Sequence, residues 1–201
     1  MVNNLEYRST IKSKPYLFLE TKKVASLILQ GLNEYEIKEK ALKENIFQVN
    51  TESRKREIAA TVIKRIKVLD EYLLQKLANG PIETAKLIVL YAIMKTDRLF
   101  FEFMSEVYRE KLILRETHIT DKDFSLFFQS KREQSETVAS WNEYTFYKLK
   151  QVYIRVLYEA GLLKNKKGDR EIIKPVVEPD FAKHFQENGD KIYLDILLGV
   201  K

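Results

Sequence analysis

The sequence predicts a mainly α-helical protein with one small β-hairpin near its C-terminal end. Apolar residues recur at helical spacing along most of the 201 residues, and helix-capping patterns precede several of these stretches. The chain has only 6 Gly and 4 Pro, which is too few for the many turns of an all-β fold. Apolar residues make up 45% of the chain, enough for a substantial core, and this content argues against disorder.

The first eighty residues are predicted to form three helices. Pro15 favours the start of a helix, because its missing N–H is not needed in the first turn. Asn33 followed by Glu36 is a capping box, in which each side chain satisfies the backbone N–H of the other residue. A third and longer helix is expected to end at Gly80. The three predicted helices span 15–30, 34–44 and 51–79.

The middle of the chain, residues 81–115, is predicted to be buried core. Pro81 opens a fourth helix that contains the longest apolar run, Leu87 to Met94, and a fifth helix begins near Thr96. Eight apolar residues fall far short of the roughly 20 that a membrane-spanning helix needs. We therefore expect no membrane span. We also expect two domains, an N-terminal helical domain over 1–79 and a second domain over 80–201.

The last third of the chain changes its pattern after one more long helix. Thr120 with Asp123 caps a sixth helix over 121–131, and Ser140 with Glu143 caps a helix over 141–160 that Gly161 ends. Residues 164–169 then match the tip of a hairpin, followed by a β-branched strand over 170–177. Two short helices complete the chain, one opened by Pro179 and one capped by Asp190.

The residues that usually carry catalysis or hold cofactors are sparse. The chain has no Cys, and its two His, His118 and His184, are far apart. It contains no phosphate-binding glycine loop, no dinucleotide fingerprint, no HExxH motif and no GxSxG elbow. We expect no catalytic residues, no metal, no cofactor and no enzymatic activity. The N-terminal residues also lack the apolar stretch of a secretory signal, so a cytoplasmic location is expected.

Positive charge is concentrated in two windows of a chain whose net charge is +6. Residues 54–67 hold six basic side chains against one acidic, and residues 148–174 hold eight against three. Clustered positive charge is typical of proteins that bind a phosphate backbone, although such windows can also be ordinary solvated helix faces. The candidate DNA-contacting residues of the first window are Arg54, Lys55, Arg56, Lys64 and Lys67.

The predicted helix 141–160 has two different faces. Its apolar face is expected to carry Phe146, Leu149, Val152, Tyr153, Val156, Leu157 and Ala160. The opposite face collects tyrosines with Lys148, Gln151 and Arg155, and such side chains can donate to phosphates and read base edges. The alternative is that this tyrosine-rich face packs on a partner protein. From this face, Tyr147, Lys148, Gln151 and Arg155 are candidate DNA-contacting residues.

The order of helix, Ala160-Gly161-Leu162-Leu163 and charged hairpin resembles the recognition helix and wing of winged-helix DNA-binding domains. In that arrangement the helix over 121–131 is the preceding support helix, and Lys164, Lys166, Lys167 and Arg170 contact phosphates beside the groove. The three N-terminal helices resemble a helix-turn-helix more loosely, because the connection from Asn45 to Asn50 is longer than the usual tight turn.

Taken over its whole length, the sequence resembles the BrxA family. The resemblance rests on SKPYLFLETKKVA from Ser13, the Gly31-Leu32-Asn33 turn, NTESRKREI from Asn50 and the AGLL segment from Ala160. Members of this family are small subunits of BREX phage-defence systems. The resemblance implies a helical protein with helix-turn-helix and winged-helix character, with double-stranded DNA and other BREX subunits as partners.

Several functions are compatible with the residues. The leading hypothesis is a non-enzymatic subunit that binds double-stranded DNA mainly through the phosphate backbone. The alternatives are an RNA-binding module like the antitermination factor NusB, a protein–protein adaptor within the defence complex, and a metal-dependent nuclease. For a nuclease, the only candidate carboxylate pairs are Asp121 with Asp123 and Glu178 with Asp180, and both pairs lie where acidic residues favour a helix start anyway.

Overall fold

The structure, a computed structural model, describes residues 5–200. Two compact units divide the chain. The N-terminal unit is Tyr16–Thr96, and the C-terminal unit consists of the described parts of Met1–Pro15 and Asp97–Lys201. Residues 1–4 and 201, which belong to the predicted domains 1–79 and 80–201, lie outside the described residues. The mainly α-helical class that the sequence predicts is confirmed.

The N-terminal unit is built from five helices within the described residues. The predicted capping box opens the second one, since Asn33 Oδ1 accepts the N–H of Tyr35 at 2.9 Å and the Glu36 carboxylate accepts the N–H of Asn33 at 2.8 Å. The helices are α1 (Phe18–Leu29), α2 (Glu34–Lys43), α3 (Glu52–Ile66), α4 (Glu71–Asn79) and α5 (Ile82–Thr96).

The predicted single helix over 51–79 is wrong, because the chain breaks it between α3 and α4. The Asp70 carboxylate accepts the N–H of Leu73 at 2.9 Å and so caps a new helix. The apolar spacing continues across the break, and both Leu69 and Leu73 are buried. Helix α1 also starts later than Pro15, at Phe18, after Leu17 adopts a left-handed backbone with φ of 55°.

Helix α5 forms the centre of the N-terminal unit. Every residue from Leu87 to Met94 is buried, as the sequence predicts, and α5 packs against α1, α3 and α4. Buried Arg65 on α3 donates to the backbone oxygen of Tyr16 at 2.8 Å. The predicted domain boundary after residue 79 stays a prediction, because packing in one structure does not show which segments fold independently.

The C-terminal unit begins with a short 3-10 helix (Thr10–Ser13) that packs against the long helix α10 (Glu143–Glu159). The remaining elements are α6 (Arg98–Phe103), a π-helical segment (Met104–Tyr108), α7 (Arg109–Ile113), β1 (His118–Ile119), α8 (Asp121–Gln134), α9 (Glu136–Ala139), α10 (Glu143–Glu159), β2 (Arg170–Glu171), α11 (Pro179–Glu187) and α12 (Lys191–Leu198). None of the helices formed by residues 5–200 has the length and apolar character that a membrane crossing requires.

The predicted hairpin is closed by one β-bridge, and its second strand also pairs with β1 in a small antiparallel sheet. Ile119 in β1 pairs with Arg170 in β2, and Leu163 bridges to Ile172 on the other side. The chain therefore reverses over 164–169 as predicted, but the regular strand covers only Arg170–Glu171 instead of 170–177. Pro175 lacks a backbone N–H, which disfavours a longer ladder.

Aromatic rings hold α10 in the C-terminal unit. Phe103 lies 4.8 Å from Phe124 on α8 and 5.2 Å from Tyr153 on α10, measured between ring centroids. The start of α10 differs from the predicted capping box, because Asn142 instead of Ser140 caps the helix. Its side-chain oxygen accepts the N–H of Thr145 at 2.9 Å.

Candidate nucleic-acid interface

Helix α10 separates its side chains into a buried face and an exposed face, as its sequence pattern predicts. The buried face contains Phe146, Leu149, Val152, Tyr153, Val156, Leu157 and Ala160. Tyr144, Tyr147 and Tyr158 on the other face are 64%, 50% and 40% exposed. Gln151 and Arg155 are also exposed, and Lys148 is half-buried beside them.

Lysine and glutamine side chains lie against the tyrosines of this exposed face. The Lys148 Nζ is 5.3 Å from the ring centroid of Tyr144 and 6.0 Å from that of Tyr147. Gln151 Nε2 donates to the Tyr147 hydroxyl at 2.7 Å. A cation over an aromatic ring is held in place without losing its charge. Lys148 is therefore positioned by a neutral neighbour and can still bind an anion.

The loop over 164–169 follows α10 and adds three exposed lysines, Lys164, Lys166 and Lys167. The Asn165 side chain shapes the loop by donating to the backbone oxygens of Lys167 at 2.6 Å and Asp169 at 3.1 Å. Lys166 Nζ lies 4.9 Å from the ring centroid of Tyr158, so the loop meets the exposed face of α10 near the end of that helix. Lys164 pairs with Glu171 at 2.9 Å.

Arg170 was predicted to contact phosphate from the surface, but it lies in the interior of the fold, which argues against that contact. Its side chain is 7% exposed, and Nη2 is 2.7 Å from Asp121 Oδ1. The guanidinium carbon is 5.8 Å from the ring centroid of Phe124, while Nε and Nη1 have no hydrogen-bond partner within the described residues. Because β2 pairs with β1, residue 170 is drawn into the unit and away from the surface.

Asp121 connects α8 to both α10 and β2. Lys150 Nζ lies 3.1 Å from its second carboxylate oxygen. Burial acts to raise the pKa of Asp121, but hydrogen bonds from Lys150 and Arg170 outweigh it and lower that pKa. Asp123 is bound as well, at 2.8 Å from Lys111 Nζ. Both carboxylates of the pair considered for a nuclease are thus tied to basic side chains.

The basic residues of the first window all have a partner inside the N-terminal unit. The partners are the Glu57 carboxylate for Arg54, the Leu42 oxygen for Lys55, the Glu52 carboxylate for Arg56, the Thr96 oxygen for Lys64 and the Glu34 carboxylate for Lys67. Three of these are ion pairs with an acidic residue. The carboxylates offset much of the positive charge that the sequence places there, and exposed pairs of this kind are screened further by salt.

A cleft of about 690 Å³ lies between α8 and α10, and its lining includes two basic residues that the sequence analysis did not identify, Arg132 and Lys150. Arg132 lies 4.0 Å from the ring centroid of Phe146 and pairs with Glu143. The other polar lining residues are Ser125, Gln129, Tyr147 and Lys150. Lys150 could have been found from the helical spacing of α10, one turn after Phe146. Arg132 could not, because only the packing of α8 on α10 places it there.

A comparison with protein families matches the BrxA model to residues 5–189, almost the whole described chain. The chain belongs to the BrxA family. The family expected from the sequence motifs is thereby confirmed. A relative from Bacillus cereus (strain H3081.97), named BREX protein BrxA, is 61% identical over 199 residues and is covered completely, with 99% of this chain aligned.

A more distant BrxA relative aligns over most of its length, and a solved structure shares the fold of this chain. A protein of the same name from Paramagnetospirillum magneticum (strain ATCC 700264 / AMB-1) is 21% identical over 186 residues, which cover 92% of both chains. The crystal structure of an uncharacterized protein from Magnetospirillum magneticum superimposes with a TM-score of 0.82 at 20% identity. It covers 97% of this chain and all of the other, so the two chains share a fold over nearly their whole length.

Proposed function

We propose that this protein is a non-enzymatic subunit of a BREX phage-defence system that binds double-stranded DNA, acting in the cytoplasm with other BREX subunits. The observation that carries the DNA-binding proposal is the exposed face of α10 together with the adjoining loop over 164–169. This surface combines Lys148, Gln151 and Arg155 with Lys166 and Lys167 of the loop. Its chemistry suits phosphate oxygens and base edges.

The order of elements supports a winged-helix-like arrangement in the C-terminal unit. Helix α8 precedes α10, and the chain after α10 forms a loop closed by β1, β2 and the Leu163–Ile172 bridge. In this arrangement α10 enters the major groove, whose width admits one helix. Lys166 and Lys167 then contact the backbone beside the groove, which gives affinity without base preference.

Duplex DNA fits the exposed face of α10 better than duplex RNA does. The major groove of A-form RNA is deep and narrow, so a helix cannot enter it. The exposed tyrosines favour a second candidate, a protein–protein adaptor, because tyrosine is enriched in interfaces. Binding of duplex DNA, RNA hairpin or neither separates these candidates.

The test is a salt series with a fluorescently labelled DNA duplex, measured by anisotropy. We expect log affinity to fall linearly with log salt, and Lys166→Ala with Lys167→Ala to flatten that slope by roughly 0.9 for each lost phosphate contact. Gln151→Ala with Arg155→Ala is expected to weaken binding as well, and to reduce any base preference by about 1–3 kcal/mol per lost bidentate contact.

A matched control comes from Lys183 and Lys191, two exposed lysines on α11 and α12. Lys183→Ala with Lys191→Ala removes the same formal charge as Lys166→Ala with Lys167→Ala. It is expected to leave the DNA affinity and its salt slope almost unchanged. Circular dichroism should be the same for all variants, since each altered side chain is exposed. Wild-type affinity and slope in the combined variant at 151, 155, 166 and 167 would contradict the assignment of this surface.

A further inference from the structure

A second concave surface of the C-terminal unit is negatively charged, in contrast to the basic exposed face of α10. It lies between the helical stretch Arg98–Ile113 and α8, encloses about 280 Å³ and is here named the acidic groove. Its apolar lining includes Val107, Leu114 and Leu126, and its rim includes Glu106, Glu110 and Glu116. On α8, Leu126 and Asp123 face this groove, whereas Ser125 and Gln129 face the cleft beside α10.

Two leucines of the acidic groove are exposed to solvent. Leu114 is 65% exposed and Leu126 is 55% exposed. Single exposed apolar residues are ordinary on protein surfaces, but two that line one concavity form a patch that a partner can cover. The groove therefore offers an apolar contact of the kind that anchors a protein segment.

The charge of the residues that line the groove indicates that the partner carries the opposite, positive charge. Four acidic residues line the groove against one basic residue, Lys111. Lys111 is already paired with Glu116 and, at 2.8 Å, with Asp123. Glu110 is exposed and makes no ion pair within residues 5–200. A negative groove on a chain of net charge +6 repels nucleic acid and attracts a cationic group.

We propose that the acidic groove docks a cationic amphipathic segment of a partner protein. Leucine-like side chains of that segment cover Leu114 and Leu126, while flanking Lys or Arg residues pair first with Glu110. Glu106 and Glu116 already hold Lys131 and Lys111 and add negative charge through their outer carboxylate oxygens. This combination of apolar contact and charge matches the helix-in-groove mode of peptide recognition. The site is separate from the exposed face of α10, so it holds or fails independently of the DNA-binding proposal.

The probe is a pair of labelled synthetic helical peptides, and the measurement is fluorescence anisotropy. Both peptides carry leucines at i, i+3, i+4 and i+7, one with flanking lysines and the other with flanking glutamates. We expect the lysine peptide to bind at least about tenfold more tightly than the glutamate peptide, a difference that shrinks as salt screens the rim charges.

Two variants of the groove locate the binding. Leu126→Ser removes an apolar anchor and Glu110→Lys reverses a rim charge, and each is expected to weaken the lysine peptide about tenfold. Glu110→Gln is a milder second variant with a smaller loss. Leu19→Ser on α1 is the matched control, because that leucine is also exposed and lies outside the groove. DNA affinity should be unchanged in all four variants.

Three results would each overturn the acidic groove as a docking site. They are no binding of the lysine peptide to the wild-type protein at low salt, equal affinity for the two peptides, or undiminished affinity in both Leu126→Ser and Glu110→Lys. Loss of DNA binding in the variants at 151, 155, 166 and 167, with peptide binding intact, would show that the two surfaces act separately.

Discussion

The two basic windows of the chain carry similar formal charge but very different surfaces. In the window on α3, Arg54, Arg56 and Lys67 are each paired with a glutamate. In the window on α10, Lys148 and Lys166 lie against tyrosine rings instead of carboxylates. A run of basic residues therefore does not by itself establish a positively charged surface, because neighbouring carboxylates can neutralise it.

The cause of this difference is the residue type one helical turn away. Glu52 precedes Arg56 by four residues and Glu57 follows Arg54 by three, so the helix itself brings opposite charges together. Tyr144 precedes Lys148 by four residues, and a tyrosine ring holds the ammonium group without neutralising it. Lys148 therefore keeps its charge for a ligand, whereas Arg155 on the same face is paired with Glu159 four residues later.

The largest expected effect comes from removing four cations from each window in turn. Alanine at Lys148, Arg155, Lys166 and Lys167 should weaken duplex binding by at least about tenfold and flatten the salt slope, because each lost phosphate contact lowers the number of released counterions. The matched set from the first window replaces Arg54, Arg56, Lys64 and Lys67, and should lower affinity by less than about threefold. Three of these groups are paired with carboxylates, whereas the other set has one such pair within the described residues, Arg155 with Glu159.

Both sets are measured by anisotropy with the same duplex, after circular dichroism has shown intact folding. Equal losses of duplex affinity from the two sets would contradict the proposed difference and would mean that the α3 surface also binds DNA. A larger loss from the α3 set would reverse it. The result therefore decides which of the two windows is the interface.

Local pattern was sufficient to predict the features that depend on neighbours along the chain. The spacing of Phe146, Tyr153 and Leu157 predicted the buried face of α10, and the Asn33–Glu36 box predicted the start of α2. The break before α4 was missed, because the apolar spacing runs through it and a single Asp70 cap decides where the new helix begins.

Features that depend on distant pairing could not be predicted from the sequence. Arg170 was expected at the surface, but its strand pairs with Ile119, about fifty residues earlier, and this pairing buries it. Arg132 lines a cleft only because α8 packs on α10. Burial was also expected throughout 81–115, and it holds for the centre of α5 but fails at Leu114, which borders the acidic groove.

A smaller effect is expected from exchanging one buried and one exposed cation for methionine. Arg170→Met removes the buried partner of Asp121, which stays partly solvated and keeps Lys150, so we expect a loss of about 1–2 kcal/mol in unfolding free energy. Lys167→Met is exposed and should change stability by no more than about 0.5 kcal/mol.

Urea unfolding followed by circular dichroism measures these stabilities, and anisotropy measures DNA affinity. The two variants should show opposite profiles, with Arg170→Met less stable and normal in affinity, and Lys167→Met normal in stability and weaker in affinity. Reduced DNA affinity in a fully folded Arg170→Met variant would restore the role in phosphate binding that its buried position argues against.

The smallest effect concerns acid, and it separates a carboxylate that is paired with a buried cation from one whose partners are exposed lysines. Because hydrogen bonds from Lys150 and Arg170 lower the pKa of Asp121 against the opposing effect of desolvation, its ionised form stabilises the fold above the unfolded value of about 3.9. That stability is lost as pH falls through the lower pKa of the folded state. Wild-type protein should therefore lose melting temperature more steeply below about pH 4 than Asp121→Asn does.

Glu34 on α2, whose partners are two exposed lysines, is the counterpart in the N-terminal unit. Hydrogen bonds from Lys38 and Lys67 lower its pKa to about 2, so its contribution also fades as pH falls from about 4.5 towards 2. Since Lys38 and Lys67, the partners of Glu34, are exposed, salt should remove the difference between wild type and Glu34→Gln, while the Asp121→Asn difference persists because Arg170 is buried. Melting curves at pH 3 to 6, in low and high salt, measure both, and parallel curves for wild type and Asp121→Asn would show that the Arg170 pair does not stabilise this unit.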